Sequence, residues 1–121
     1  MRLLLVSDDR GFSGVTSLLL ERNGFAVRTT AHAAPVRVAD LAREHRADVV
    51  LVDEVPSRPR AARTVAGLDL LYPRARPLVL CADGDALPPA VADHVGRSSP
   101  IAVLTAAIER CYADERPRAA S

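Results

Sequence analysis

The sequence predicts an α/β fold, a doubly wound parallel sheet of five strands with helices on both faces, and three observations lead there. Short apolar runs alternate with amphipathic stretches along the 121 residues. Two of the runs, RLLLVS (2–7) and ADVVLVDE (47–54), are apolar at consecutive rather than alternate positions. That is the pattern of strands covered on both faces, as in parallel sheets. The segments between the runs are long enough for the right-handed helical crossovers that parallel neighbours need.

Each element has its own signals. RLLLVS is the first strand. After DDRG, the stretch FSGVTSLLLERNG sets Phe12, Val15, Leu18 and Leu19 on one helical face, and Gly24 closes the helix. FAVRTT (25–30) alternates apolar and polar residues, so the second strand has one less buried face. Pro35 suits the first turn of a second helix, which continues through Val38, Leu41, Ala42 and His45. ADVVLVDE is the third strand, and a third helix comes after it, ending near Tyr72, with Pro73 and Pro77 as stops. PLVLCA (77–82) is the fourth strand.

In DGDALPPAVADHV (83–95) a short fourth helix is expected to start at Pro88 or Pro89, since prolines are tolerated only at a helix start. A brief fifth strand is expected over 94–98. The last helix carries Ile101, Leu104, Ile108 and Cys111, spaced by three, four and three, as one apolar stripe. DERPRAAS (114–121) reads as a frayed tail.

Apolar residues make up 49% of the chain and charged residues 26%, which suits one globular domain with one core. Basic and acidic residues number 16 and 15, so no concentrated positive field marks the chain for nucleic acid or for an anionic membrane. Every basic residue is arginine; lysine is absent, and with it any mechanism that needs one. Cys81 and Cys111 lack metal-site spacing and read as a reduced pair of small hydrophobes. The opening MRLLLVSDD meets acid before the apolar core of a leader peptide forms. No run approaches the ~20 apolar residues that span a bilayer. The expected address is the cytoplasm.

Open parallel sheets bind ligands beyond the carboxyl ends of their strands, where strand order reverses. Those ends carry Ser7, Asp8 and Asp9; Asp53 and Glu54; Cys81 and Ala82; and Ser98 and Ser99. In the flavodoxin-like order 2-1-3-4-5 the first and third strands are neighbours, so their acids converge on one pocket. Carboxylates this close oppose one another's ionisation unless a cation is present. A hard divalent ion such as Mg²⁺, which prefers oxygen ligands, is the natural compensator.

In element order, length and placement of acids, the chain resembles the receiver domain of two-component response regulators over nearly its whole length. In that family an acidic pair after the first strand and an aspartate ending the third hold Mg²⁺. The third-strand aspartate also accepts a phosphoryl group from a histidine kinase. Counted back from NGF (23–25), Asp8 falls on the second acid of the pair and Ser7 on the first, with Asp9 as a further acid beside them. Asp53 falls on the phosphoacceptor, and Val55 is placed to offer its backbone carbonyl to the metal. The transfer would use a carboxylate oxygen as nucleophile. Fixed positive charge would stabilise the equatorial oxygens.

The sequence also departs from that family. The hydroxyl that should end the fourth strand is replaced by Cys81, a weaker donor of similar size. The lysine before a proline after the fifth strand is replaced by Ser99, before Pro100. The aromatic switch position falls near Gly96 or Arg97, and Pro56 comes one residue early in the loop after Asp53. Ser7 removes one negative charge and Ser99 one positive charge, which leaves the balance of the pocket unaltered. Arg10 and Arg97 are the candidates to replace the missing cation, although an arginine fork does not copy an ammonium group.

The resemblance and its departures together imply one receiver-like domain over 1–113. It is expected to act as an atypical, stand-alone signalling module through protein–protein contact rather than as an enzyme. Asp53 is the candidate phosphoacceptor, Mg²⁺ a weakly held cofactor, and Cys81 and Ser99 occupy the switch positions. The expected partner is a histidine kinase or another signalling protein. A homodimer would form through the fourth helix, fifth strand and last helix, where LPPAVADHVGRSSP (87–100) falls. The competing reading is a flavodoxin-like or Rossmann-like nucleotide or cofactor binder, or a small enzyme, using the same strand ends. GFSG (11–14) lacks the glycine spacing and lysine of a phosphate loop, which counts against it. His32, His45 and His94 fall in different elements and read as surface or half-buried residues.

Overall fold

A computed structural model describes residues 1–55, 57–82 and 93–114. Five strands, β1 (Arg2–Val6), β2 (Ala26–Thr30), β3 (Val49–Asp53), β4 (Arg76–Cys81) and β5 (Asp93–Gly96), form one sheet in the order β2-β1-β3-β4-β5. All pairings are parallel. The described helices are α1 (Arg10–Arg22), α2 (Pro35–His45), α3 (Ala61–Leu71) and α4 (Ile101–Ala113). The helix expected near Pro88 lies outside the described residues, as do Pro56 and the tail from 115 onwards.

The consecutive apolar runs have the predicted cause. Leu4, Val6, Val50, Val52 and Val79 face one core, which is closed by Val38, Leu41 and Ala42 of α2 and by Val65 and Leu68 of α3. Leu3, Leu5, Val49, Leu51, Leu78 and Leu80 face the other, closed by Leu20 of α1 and by Leu104, Ile108 and Cys111 of α4. The sheet is therefore covered on both sides, and every residue of β3 is buried. Burial of each such Leu or Val side chain contributes about 1.5–3 kcal/mol before entropy. β2, at the edge, is mostly exposed, as its alternating sequence implies.

One packing expectation fails. Val15 and Leu18, on the predicted apolar face of α1, are 61% and 51% exposed, and Leu19 is exposed as well. The face that meets the sheet instead runs through Phe12, Thr16 and Leu20 at a spacing of four. A threonine in the middle of that row hides it from a hydrophobicity pattern, and the three apolar residues on the adjoining face mimic a core stripe. Gly24 lies just past α1 with φ +92°, the left-handed geometry expected of a closing glycine. β5 spans 93–96 rather than 94–98, so Arg97 leaves the sheet immediately after Gly96.

Strand register decides which side chains meet at the carboxyl edge of the sheet. Val6 pairs with Val52, so Ser7 emerges beside Asp53. Cys81 pairs with Gly96, so Arg97 emerges at the same edge.

Candidate functional site

Asp53 closes β3 and is fully buried, which demands compensation for its charge. Two neighbours supply it. The Ser7 hydroxyl donates to Oδ2 at 2.7 Å. Arg97 donates from Nε to Oδ1 at 2.7 Å and from Nη2 to Oδ2 at 3.2 Å. This two-point contact matches the fork of a guanidinium to a carboxylate. The backbone N–H of Arg97 is also anchored, donating to the Cys81 carbonyl at 2.6 Å.

The same guanidinium reaches α1. Nη2 donates to Asp9 Oδ2 at 2.7 Å. The guanidinium carbon lies 4.1 Å from the centroid of the Phe12 ring, in range for a cation–π contact. Asp9 caps α1, its Oδ1 accepting from the Phe12 N–H at 3.0 Å. That cap and then Arg97 hold the Asp9 carboxyl below its usual range. Arg97 is raised in turn, chiefly by its hydrogen bond to Asp53.

Asp8 points to the other rim. Its Oδ1 accepts from the His32 backbone N–H at 2.9 Å, and its Oδ2 from Arg60 Nη1 at 3.2 Å. The His32 ring donates from Nε2 to the Asp53 carbonyl at 2.7 Å, because a carbonyl can only accept. Its Nδ1 is buried without a hydrogen-bond partner among the described residues. Glu54 turns away from the pocket: its carboxylate accepts from the backbone N–H groups of Arg60 and Ala61 and caps the start of α3.

The remaining predicted positions are less engaged with Asp53. The Val55 carbonyl accepts from the Arg58 N–H at 3.0 Å and belongs to a turn. Cys81 is buried, with its sulfur 3.9 Å from the Val79 carbonyl. Ser99 donates its backbone N–H to the Gly96 carbonyl at 3.1 Å, and its side chain makes no hydrogen bond to Asp53 among the described residues. Arg10 opens α1 on the exposed side; of the two arginine candidates it is Arg97 that reaches the acid.

All six oxygens of Asp8, Asp9 and Asp53 thus accept from a donor of the protein itself. Among the described residues no group of three or more His, Cys, Asp or Glu side chains is placed to hold a metal. A divalent ion that coordinates at about 2.1 Å would have to displace or share these donors. Gly11 and Gly14 lie within α1, so GFSG forms no phosphate-cradling loop.

The pocket also contains His32 and Arg60, which the sequence pattern does not assign there, whereas Glu54, expected among the converging acids, is engaged in capping α3. His32 lies just past the end of β2, beside β1, and the register alone would have placed it near Asp8. Arg60 and Glu54 meet across the loop before α3, and no local pattern announces that contact.

No family model and no curated protein sequence matches the chain. Solved structures match its fold. FixJ-N is 23% identical, with 97% of each chain covered and a TM-score of 0.75. The non-phosphorylated HemR receiver domain from Leptospira biflexa is 20% identical over 97% of this chain and 98% of the other, with a TM-score of 0.72. The signal receiver domain of NarL from Mycobacterium tuberculosis is 20% identical over 92% and 94%, with a TM-score of 0.71. The chain has the fold of response-regulator receiver domains. No helix among the described residues is long and apolar enough to cross a membrane.

Proposed function

We propose that this chain is a signalling module of the receiver type that works through protein–protein contact, with Asp53 neutralised from within. The observation that carries this reading is the fully buried Asp53 carboxylate, held by Arg97 at two points and by Ser7 at a third. A phosphodonor needs access to a carboxylate oxygen and a positive field free to receive the transferred group. Here the oxygens are covered and the guanidinium is already committed. Asp53 then serves as an anchor for the carboxyl edge of the sheet, and signalling depends on which partner docks rather than on an added phosphoryl group.

The partner is a histidine kinase or another signalling protein. Val103 and Tyr112 stand exposed on α4, the helix after β5, and supply apolar surface for such a contact or for a second copy of the chain.

Intact-mass measurement after incubation with acetyl phosphate and MgCl2 tests the reading. The expected result is an unmodified chain. Gain of one phosphoryl mass that Asp53→Asn abolishes would overturn it in favour of a phosphorelay acceptor.

A further inference from the structure

The pocket holds three carboxylates and, against them, two arginines: Arg97 on Asp53 and Asp9, and Arg60 on Asp8. We propose that Arg97 is the resident cation of this pocket, and that it excludes divalent metal by occupying the oxygens a metal would need. This inference rests on the receiver-type reading of the pocket and goes beyond it, since it concerns what sets the charge balance at the site.

Three observations support it. The guanidinium bridges the ends of β3 and α1 by contacting both Asp53 and Asp9, as a shared metal would bridge its ligands. It is held from outside the carboxylates as well, by the Phe12 ring on one side and by its own backbone bond to Cys81. Its side chain is mostly buried, at 27% exposure, so it is a built part of the pocket and not a surface arginine that happens to lean inward.

The physical consequence is a change of rule. A bound metal comes and goes with its concentration, whereas a side chain is present at unit occupancy. Arginine also stays protonated at any physiological pH. The carboxylates are therefore compensated permanently, and the edge formed by β3, β5 and the start of α1 stays tied together whatever the ionic conditions. Arg97 acts through position and charge and touches no reacting group.

Thermal melting of the full chain with and without MgCl2, together with MnCl2 as a paramagnetic reporter of amide resonances, tests this. In the wild type, MgCl2 is expected to leave the melting temperature unchanged and Mn²⁺ to spare the signals of Asp8, Asp9 and Asp53. Arg97→Met, which keeps the stem and removes the charge, should melt lower without metal. It should recover by about 3 °C or more in millimolar MgCl2. Adding Asp53→Asn to Arg97→Met should remove that recovery. Broadening by Mn²⁺ at Asp53 in the wild type would overturn the proposal, and this holds even if Arg97→Met fails to fold. A folded Arg97→Met chain with no metal response would overturn it equally. Neither result depends on acetyl phosphate, so loss of this inference and loss of the signalling reading are separately visible.

Discussion

Arg97 grips Asp53 at two points across the width of β4: the residues lie 44 positions apart in sequence, Asp53 ending β3 and Arg97 directly following β5, strands that are not neighbours in the sheet. Removing one partner of a buried pair strands the other, which costs more than the pair itself contributes. Because Arg97 keeps some contact with water, the loss for Arg97→Ala belongs at the lower end of the usual range, about 3 kcal/mol. The double variant Asp53→Asn with Arg97→Gln leaves no buried charge and should be more stable than Arg97→Ala. Urea unfolding of the wild type, Asp53→Asn, Arg97→Gln and their double variant measures the coupling. A coupling below about 0.5 kcal/mol would show that the pair is incidental.

The Asp9 carboxyl lies below its ordinary value of 3.8 in the folded protein, so its ionised form stabilises the fold. That contribution is complete above 3.8 and is lost as the pH falls from there through the lower folded value. Asp9→Asn keeps an oxygen to cap α1 at the Phe12 N–H but gives up the charge facing Arg97. The variant should therefore be less stable than the wild type at neutral pH. It should also lose less stability as the pH falls below about 4. Urea midpoints from neutral pH down to below about pH 4 give both slopes, and parallel slopes would remove Asp9 from the acid response.

How much of this fold and pocket is legible in the sequence varies with the physics involved. The double-sided core is legible, because burial on two faces forces apolar residues at consecutive positions in β1 and β3, whereas the strand order follows only from the resemblance to the receiver fold. Asp53 is legible for the converse reason: a charge ending such a run has to sit at the rim. The packing face of α1 is not, since Thr16 fills the buried row while Val15 and Leu18 crowd the exposed one. The partner of Asp53 is legible only as a choice between two arginines. Choosing between them requires the β4–β5 register, which brings Arg97 to the edge of the sheet, and that register is a property of the assembled fold. The same applies to His32, whose contact with the Asp53 carbonyl depends on β2 and β3 flanking β1.

Burial pushes the Cys111 thiol up to about 12, with the nearby Asp93 carboxylate adding to the shift. A thiol in that state presents almost no thiolate at neutral pH, and thiolate is the reactive form. Cys81 is buried as well. Neither cysteine should react with a water-soluble disulfide reagent in the native protein at pH 8, and both should react at once in urea. Rapid modification of the native chain would show that α4 opens from the sheet.

Two glycines inside helices should respond in opposite directions to the same substitution. A methyl group at Gly67 in α3 would meet Pro35 Cβ at 2.5 Å and Pro35 Cα at 3.4 Å. Pro35 begins α2 and has no flexible end to move aside, so α2 and α3 must separate. Overpacking of this kind costs about 1–3 kcal/mol, against a gain of about 1 kcal/mol from replacing a helical glycine by alanine. Gly67→Ala should therefore destabilise by about 1 kcal/mol. Gly14 in α1 has nothing within 4 Å of the corresponding position, so only the propensity difference remains. Gly14→Ala should stabilise by about 0.5–1 kcal/mol. Thermal melts of the two variants side by side check the contrast, and a gain for Gly67→Ala would mean that the close approach of α2 to α3 is not enforced by Pro35.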